Sequence, residues 1–313
     1  MANLKLTLAC WDYDRTRPLM DGRVKPEGID LDIRILRPRQ AFQRMLDSQE
    51  FQVSELSLAS YTALKGRGAC PFVAVPVALS KIFRHSCIYV RIDAGIRTPA
   101  DLKGKRVGTS QWSSTGLVFM RGMLQHDYGI RAQDMHWFMG GLNSFVEPPL
   151  IPLDLPKDIK LDFLSGRQTL EKMFAAGELD ALLSLYIPKL FLEGSPSIAR
   201  LFPNYREVEQ DYYRRTRIFP IMHTVALRED VYREHPWRPR ASTGRSWRRA
   251  ISRSAASTIP MRCASPCLGS STTSRRPGGS SARISGPMGS RRTDLHSKPS
   301  AATSTSRACR RGW

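Results

Sequence analysis

The composition changes in kind at Trp237, and that break limits how much of the chain can build a core. From Arg238 to Trp313 there are 15 arginines, one lysine and a single acid, Asp294, together with 17 serines. Leu, Ile, Val and Phe are scarce there, and neither helical nor strand periodicity is present, so residues 238–313 are expected to form an irregular basic tail. The formal net charge of +20 belongs to that tail, because residues 1–237 hold 32 basic and 27 acidic side chains. Three origins fit such a segment. It can be a disordered solvated tail, an Arg/Ser-rich nucleic-acid arm, or the off-frame translation of a GC-rich gene, which yields Arg, Ser, Ala, Pro and Gly. The near-neutral body gives no reason to expect a nucleic-acid partner.

The remaining 237 residues suffice for one large domain or two lobes with sizeable cores. No run of about 18 apolar residues occurs, so no membrane span is expected. The first twelve residues, Met1 to Asp12, lack a basic n-region and a long apolar stretch. Export is therefore not expected, and a cytoplasmic location is. Six cysteines in 313 residues make no disulfide framework and suit a reducing compartment.

Along the body, strands alternate with helices. Leu4 to Trp11 and Gly28 to Leu36 read as period-2 strands, the second following the turn Lys25-Pro-Glu-Gly28. Pro38 to Ser48 reads as a helix with Phe42, Met45 and Leu46 on one face. Val53 to Leu58, Phe72 to Leu79 and Ser86 to Arg91 are further strands, and Ala59 to Lys65 a helix closed by glycines. Thr98, Pro99 and Asp101 make a helix start, Gly104 a stop, and Arg106 to Thr109 the next strand. A helix from Gly116 to Tyr128 follows, stopped by Gly129. Strands at Met135–Met139, Lys160–Leu164 and Asp180–Ser184, with helices at Thr169–Ala176 and Asn204–Arg214, continue the pattern, and Ile218 to Leu227 is an apolar strand. The class is α/β with mainly parallel sheets.

Several segments carry a resemblance. They are Trp11-Asp-Tyr-Asp-Arg-Thr16, Lys25-Pro-Glu-Gly-Ile29, Val53-Ser-Glu-Leu-Ser57, Ile82-Phe-Arg-His-Ser-Cys-Ile-Tyr-Val-Arg91, Asp101-Leu-Lys-Gly-Lys-Arg-Val-Gly108, Arg121-Gly-Met-Leu124 and Ile218-Phe-Pro-Ile-Met-His223. Together they resemble the 4,5-dihydroxyphthalate decarboxylase family, which is related to substrate-binding proteins of ABC transporters. The resemblance covers residues 3–237 and stops at Trp237. It implies a type 2 periplasmic-binding-protein-like fold of two α/β lobes with a cleft between them. Residues 1–90 and 216–237 would form lobe one, and 91–215 lobe two. Family members also carry a Phe-Trp-Pro-Tyr-Gly stretch near the C-terminus. A shifted frame through Ala282–Gly289 can encode it, which favours the off-frame origin of the tail.

Aromatic decarboxylation needs the carboxylates held and a proton delivered to the ring carbon that loses CO2. A ring phenolate can supply the electrons, so no organic cofactor is required. Arg84, His85 and Ser86 read either as a structural ion pair at a strand end or as a cleft cluster. In the second reading Arg84 binds a carboxylate and His85 is the acid/base. The start of the helix near Ser113, Ser114 and Thr115 offers amides and hydroxyls to an anion, or is ordinary capping, and Trp112 can stack on a ring or on the core. Trp11, Asp12 and Asp14 follow the first strand, where an α/β cleft collects ligand groups, and Ser54 and Glu55 occupy a comparable place. Asp12 and Asp14 serve equally as a proton relay, a metal site or a solvated loop. His223, on an apolar strand, reads as a core histidine. His126 and His136 make no zinc motif, Cys263 and Cys267 lack partner ligands, and no metal site is expected. The partner expected is a small aromatic carboxylate. The functions in competition are an aromatic carboxy-lyase, a solute-binding protein without chemistry, and an inactive truncated family member.

Overall fold

The computed structural model describes residues 3–143 and 148–235, all within one compact unit. The expectations for the tail, 238–313, lie outside the described residues.

The first sheet takes its strands from both ends of the described chain. Strands β1 (Leu4–Cys10), β2 (Ile29–Ile35), β3 (Val53–Ser57) and β4 (Phe72–Lys81) come from the N-terminal part, and β11 (Ile221–Arg228) returns to them. Their order is β2-β1-β3-β11-β4. The pairs β1–β2 and β1–β3 are parallel, while β11 lies antiparallel between β3 and β4. The second sheet has the order β10-β5-β9-β6-β7-β8, built from β5 (Ile88–Arg91), β6 (Arg106–Thr109), β7 (His136–Met139), β8 (Lys160–Phe163), β9 (Ala181–Leu183) and β10 (Ile198–Arg200). This is the two-lobed, periplasmic-binding-protein-like α/β architecture. Both sheets are more mixed than expected, since β5 runs antiparallel to both its neighbours.

Helices α1 (Arg17–Met20), α2 (Pro38–Ser48) and α3 (Leu58–Gly66) belong with the first sheet. α2 buries Ala41, Phe42 and Met45 against Ala9, Leu56 and Phe72, the face its period marks. Helices α4 (Thr115–Tyr128), α5 (Leu170–Ala175), α6 (Lys189–Leu192) and α7 (Tyr205–Thr216) belong with the second, and α8 (Glu229–Glu234) follows β11. α4 buries Leu117, Met120 and Leu124 against Val107 and Trp137.

The two chain crossings run side by side. The amide of Ile82 donates to the carbonyl of Pro220, 3.0 Å away. Phe83 stacks on Phe219 with ring centroids 4.8 Å apart, and packs edge-on against Tyr212 and Tyr213. The strand expected over Ser86–Arg91 begins only at Ile88, because His85–Cys87 is a 3-10 turn closed by the Cys87 amide on the Arg84 carbonyl. That turn sends Arg84 and His85 in different directions.

Two glycines test this packing. A Cβ at Gly108 on β6 would lie 2.5 Å from Leu182, 2.9 Å from Leu179 and 3.0 Å from Leu170. Gly108→Ala is expected to destabilise the chain by about 1–3 kcal/mol through overpacking. Gly122 on α4 has open space at its Cβ position, so Gly122→Ala should stabilise by roughly 0.5–1 kcal/mol through helix propensity. Urea midpoints that fail to move in opposite directions would contradict the described β6 and α4 environments.

Candidate active site

At the C-terminal edge of the parallel strands in the first sheet, two side chains and a backbone amide meet around one carboxylate. Glu55 on β3 is 0% exposed. It accepts hydrogen bonds from the Trp11 amide at 3.0 Å, the Tyr13 hydroxyl at 2.5 Å, and His223 Nδ1 at 2.7 Å. His223 lies on β11 directly across from Ser57 of β3. On its other side, the pairing with β4 is irregular on both flanks of His223. A bulge of this kind re-aims a side chain. The His223 side chain keeps 20% exposure, so its ring is reachable although Nδ1 faces the buried Glu55. With Nδ1 donating to the carboxylate, Nε2 is the atom left to exchange a proton. The Tyr13 ring lies under the Arg15 guanidinium, 3.9 Å from its centroid. Burial, and then the Glu55 charge, push the Tyr13 phenol up, so it remains a donor. Cys10 is pushed up to about 12 by burial, then by Glu55 and Asp12, and stays an inert thiol.

The second lobe meets this edge through α4. Thr115 Oγ1 stands 2.9 Å from Ser57 Oγ and accepts from the Ala59 amide at 3.1 Å. Ser57 is also the N-cap of α3, accepting from the Ser60 amide. Beside this contact lies Arg84. A Cβ at Gly116 would come within 3.0 Å of Arg84 Nε, so only glycine lets the guanidinium lie on the first turn of α4. Arg84 Nε and the hydroxyls of Ser114 and Ser60 are buried without a hydrogen-bond partner. The Ser114 N-cap makes no side-chain capping bond. Buried donors left open at a helix start are suited to an anion.

The expected residues divide. Arg84 lies on the first turn of α4 with Ser114 and Thr115, and Thr115 reaches Ser57, two positions after Glu55 on β3, whereas His85 does not join them. Its ring packs against Phe202 and Tyr212, it is 2% exposed, and Nδ1 lies 4.0 Å from Glu209 Oε1. The ring of His85, expected as the acid/base, is enclosed. Burial holds its pKa down at about 4, with Asp127 acting upward and Arg215 downward. Asp12 and Asp14 do not form a paired-carboxylate site. Asp12 is held by both arms of Arg17 at 3.0 Å, which lowers its pKa, and Asp14 pairs with Arg15 at 3.3 Å. The Ser54 hydroxyl donates to the Glu55 carbonyl, and Ser86 Oγ stands 3.9 Å from Cys87 Sγ, so neither enters the cluster. Trp112 packs edge-on against Trp137 and carries the Arg121 guanidinium on its face, which leaves it a packing residue; Ser113 is half-buried in the same loop. Thr115 binds lobe one rather than standing open. Sequence reading missed His223 and Tyr13, because their partner Glu55 is 168 and 42 positions away.

A shallow depression of about 420 Å3 lies at the far end of β11, among Gln49, Pro71, Glu229, Asp230, Arg233 and Glu234. Its three carboxylates make it a poor place for an anion, and it is remote from the Glu55 cluster. Among the described residues no group of three or more His, Cys, Asp or Glu stands together to hold a metal, and no helix is long and apolar enough to cross a membrane.

A family model described as the periplasmic substrate-binding protein of a phosphonate ABC transporter matches residues 13–146. A 4,5-dihydroxyphthalate decarboxylase of Comamonas testosteroni is 38% identical over 241 residues, 77% of this chain and 73% of the relative. The protein of the same name in Pseudomonas putida is 37% identical over 214 residues, 68% of this chain and 83% of the relative. The chain belongs to the 4,5-dihydroxyphthalate decarboxylase family. Among solved structures, the periplasmic aliphatic sulphonate binding protein SsuA from Escherichia coli is similar with a TM-score of 0.46 and 13% identity, over 82% of this chain and 73% of that one.

The buried His85 has a measurable consequence. An unfolded histidine titrates near 6.5, while the native ring does so at about 4. Between those values the unfolded chain takes up a proton that the native one refuses, so stability falls as pH drops through the window, by up to roughly 3 kcal/mol. His85→Phe should flatten the fall in urea midpoint from pH 6.5 to 4. An acid limb as steep as that of the wild type would show that His85 is not its source.

Proposed function

We propose that this chain is a carboxy-lyase acting on a hydroxylated aromatic dicarboxylate in the cleft between its lobes, with 4,5-dihydroxyphthalate, the compound in the relatives' name, as the leading substrate. The observation that carries the reading is the Glu55–His223 pair, 2.7 Å apart, on the edge where Thr115 brings the start of α4 and Arg84 alongside. One face supplies a proton donor and the other an anion contact.

In this reading Arg84 Nε, Ser114 Oγ and the free amides of α4 hold a carboxylate. His223, protonated, donates from Nε2 to the ring carbon bearing the departing carboxylate, with the para hydroxyl oxygen supplying electrons to that carbon. The carbon–carboxyl bond then breaks, its electron pair restores the aromatic ring, and CO2 leaves. The products are protocatechuate, CO2 and neutral His223, which regains its proton from water. Glu55 stabilises the imidazolium and fixes the ring orientation, and Tyr13 shares that carboxylate. A solute-binding role without chemistry is the rival, favoured by the transporter description of the matching family model.

Release of CO2 and protocatechuate from 4,5-dihydroxyphthalate is the direct test. His223→Asn is expected to lower kcat on the order of 10²–10⁴-fold, the range for loss of a general acid. His85→Phe should retain turnover. Arg84→Gln should raise KM, since a charge-assisted contact is worth about 1.5–3 kcal/mol. Wild-type turnover in His223→Asn removes the proposed acid, and tight binding with no product from the wild-type chain favours the rival.

A further inference from the structure

We propose that Arg121 is a second cationic anchor in the same cleft, making the site selective for an ortho-dicarboxylate over a monocarboxylate. The proposal rests on the reading of the cleft given above and adds a residue which that reading does not use.

Arg121 lies seven residues after Ser114, two turns along α4, so the two share a face of the helix. Long helical side chains point back toward the N-terminus, and this one does so. Arg121 Nη2 donates to the Trp112 carbonyl at 2.5 Å, and the guanidinium lies 3.9 Å from the centroid of the Trp112 ring. The charged group therefore sits beyond the helix start, against Trp112, two positions before the Ser114 N-cap. Its other terminal nitrogen, Nη1, is buried without a hydrogen-bond partner, as is Ser114 Oγ. Among the described residues no carboxylate is within ion-pair distance of Arg121 or of Arg84.

A guanidinium removed from water without a counter-charge is costly, and the cost is relieved by bringing an anion to it. Burial alone pushes Arg121 down, to about 9, with no charged neighbour acting in either direction. The group remains a cation near neutral pH. Arg84 lies along the Gly116 side of the first turn and Arg121 along the Ser114 side. Two under-partnered cations thus flank one helix start. Two adjacent carboxylates on a ring match that arrangement, and a single carboxylate leaves one cation unanswered.

Calorimetry on the full chain with phthalate and benzoate, which lack the ring hydroxyls needed for turnover, tests the assignment. The variants are Arg121→Met, Arg121→Gln, which keeps a donor for the Trp112 carbonyl, and Arg121→Lys, which keeps the charge. Both charge-free variants are expected to weaken phthalate about 10- to 100-fold, and benzoate by less than about threefold, as for a contact the smaller ligand does not use. Arg121→Lys should keep most of the preference. Thermal unfolding of each variant checks that it is folded, and either charge-free variant alone decides the outcome. Equal weakening of both ligands, without rescue by lysine, would mean that Arg121 only pins the Trp112 loop, and no change would exclude any role; both overturn the proposal. A wild-type chain that binds neither ligand overturns the cleft reading itself, and the Arg121 assignment with it, before any variant is compared.

Discussion

The last strand of the described chain is the one on which the rest depends. β11 enters the first sheet between β3 and β4, pairing with both in antiparallel register. Without it the sheet would be a three-stranded piece and a lone β4. Its insertion ties the region around residue 220 to lobe one, so the chain must leave at Ile82 and come back at Pro220. The paired crossings with their Phe83–Phe219 stack follow from that requirement. β11 also carries His223 to Glu55. Sheet closure and the one histidine among the described residues bonded to that buried carboxylate are thus one event, and loss of β11 pairing would remove both.

Periodicity made most of the elements legible. The period-2 runs 4–11 and 28–36, the amphipathic face of 38–48 and the capped start at Thr98 all correspond to observed structure, because each depends on residues close in sequence. What pairs with what did not follow from the same signals. The run 218–227 is apolar in any setting, and nothing local says that it sits in the middle of the first sheet. His223 therefore looked like a core residue, whereas its meaning comes from a partner 168 positions away. The separation of His85 from Arg84 has a different cause. Arg84 and His85 are adjacent, and a strand-end reading gave them one environment. The 3-10 turn divides them, sending Arg84 onto Gly116 and His85 among Phe202 and Tyr212.

Charge is distributed unequally on the two sides of the Ser57–Thr115 contact. Lobe one contributes a fully buried carboxylate whose oxygens are taken by Trp11, Tyr13 and His223. The start of α4 and the crossing beside it contribute guanidinium groups and open hydroxyls instead. Open donors of this kind are best satisfied by an anion.

That juxtaposition bears on whether the cleft only binds or also reacts. A receptor for an anion needs cations, dipoles and a fitted wall. A buried carboxylate near the ligand adds nothing to such a site; it repels the anion and has itself been desolvated, which is unfavourable unless it is well bonded. Glu55 accepts three hydrogen bonds, so its own desolvation is offset, but its repulsion of an incoming carboxylate is not. The arrangement becomes favourable when the adjacent imidazole is protonated. His223 then presents a cation to the ligand while Glu55 stabilises it from behind, and the proton that makes binding favourable is the one a ring carbon can take. On this electrostatic ground, anion binding and proton delivery call for the same charge state of one residue; a receptor would use only the first, a decarboxylase uses both.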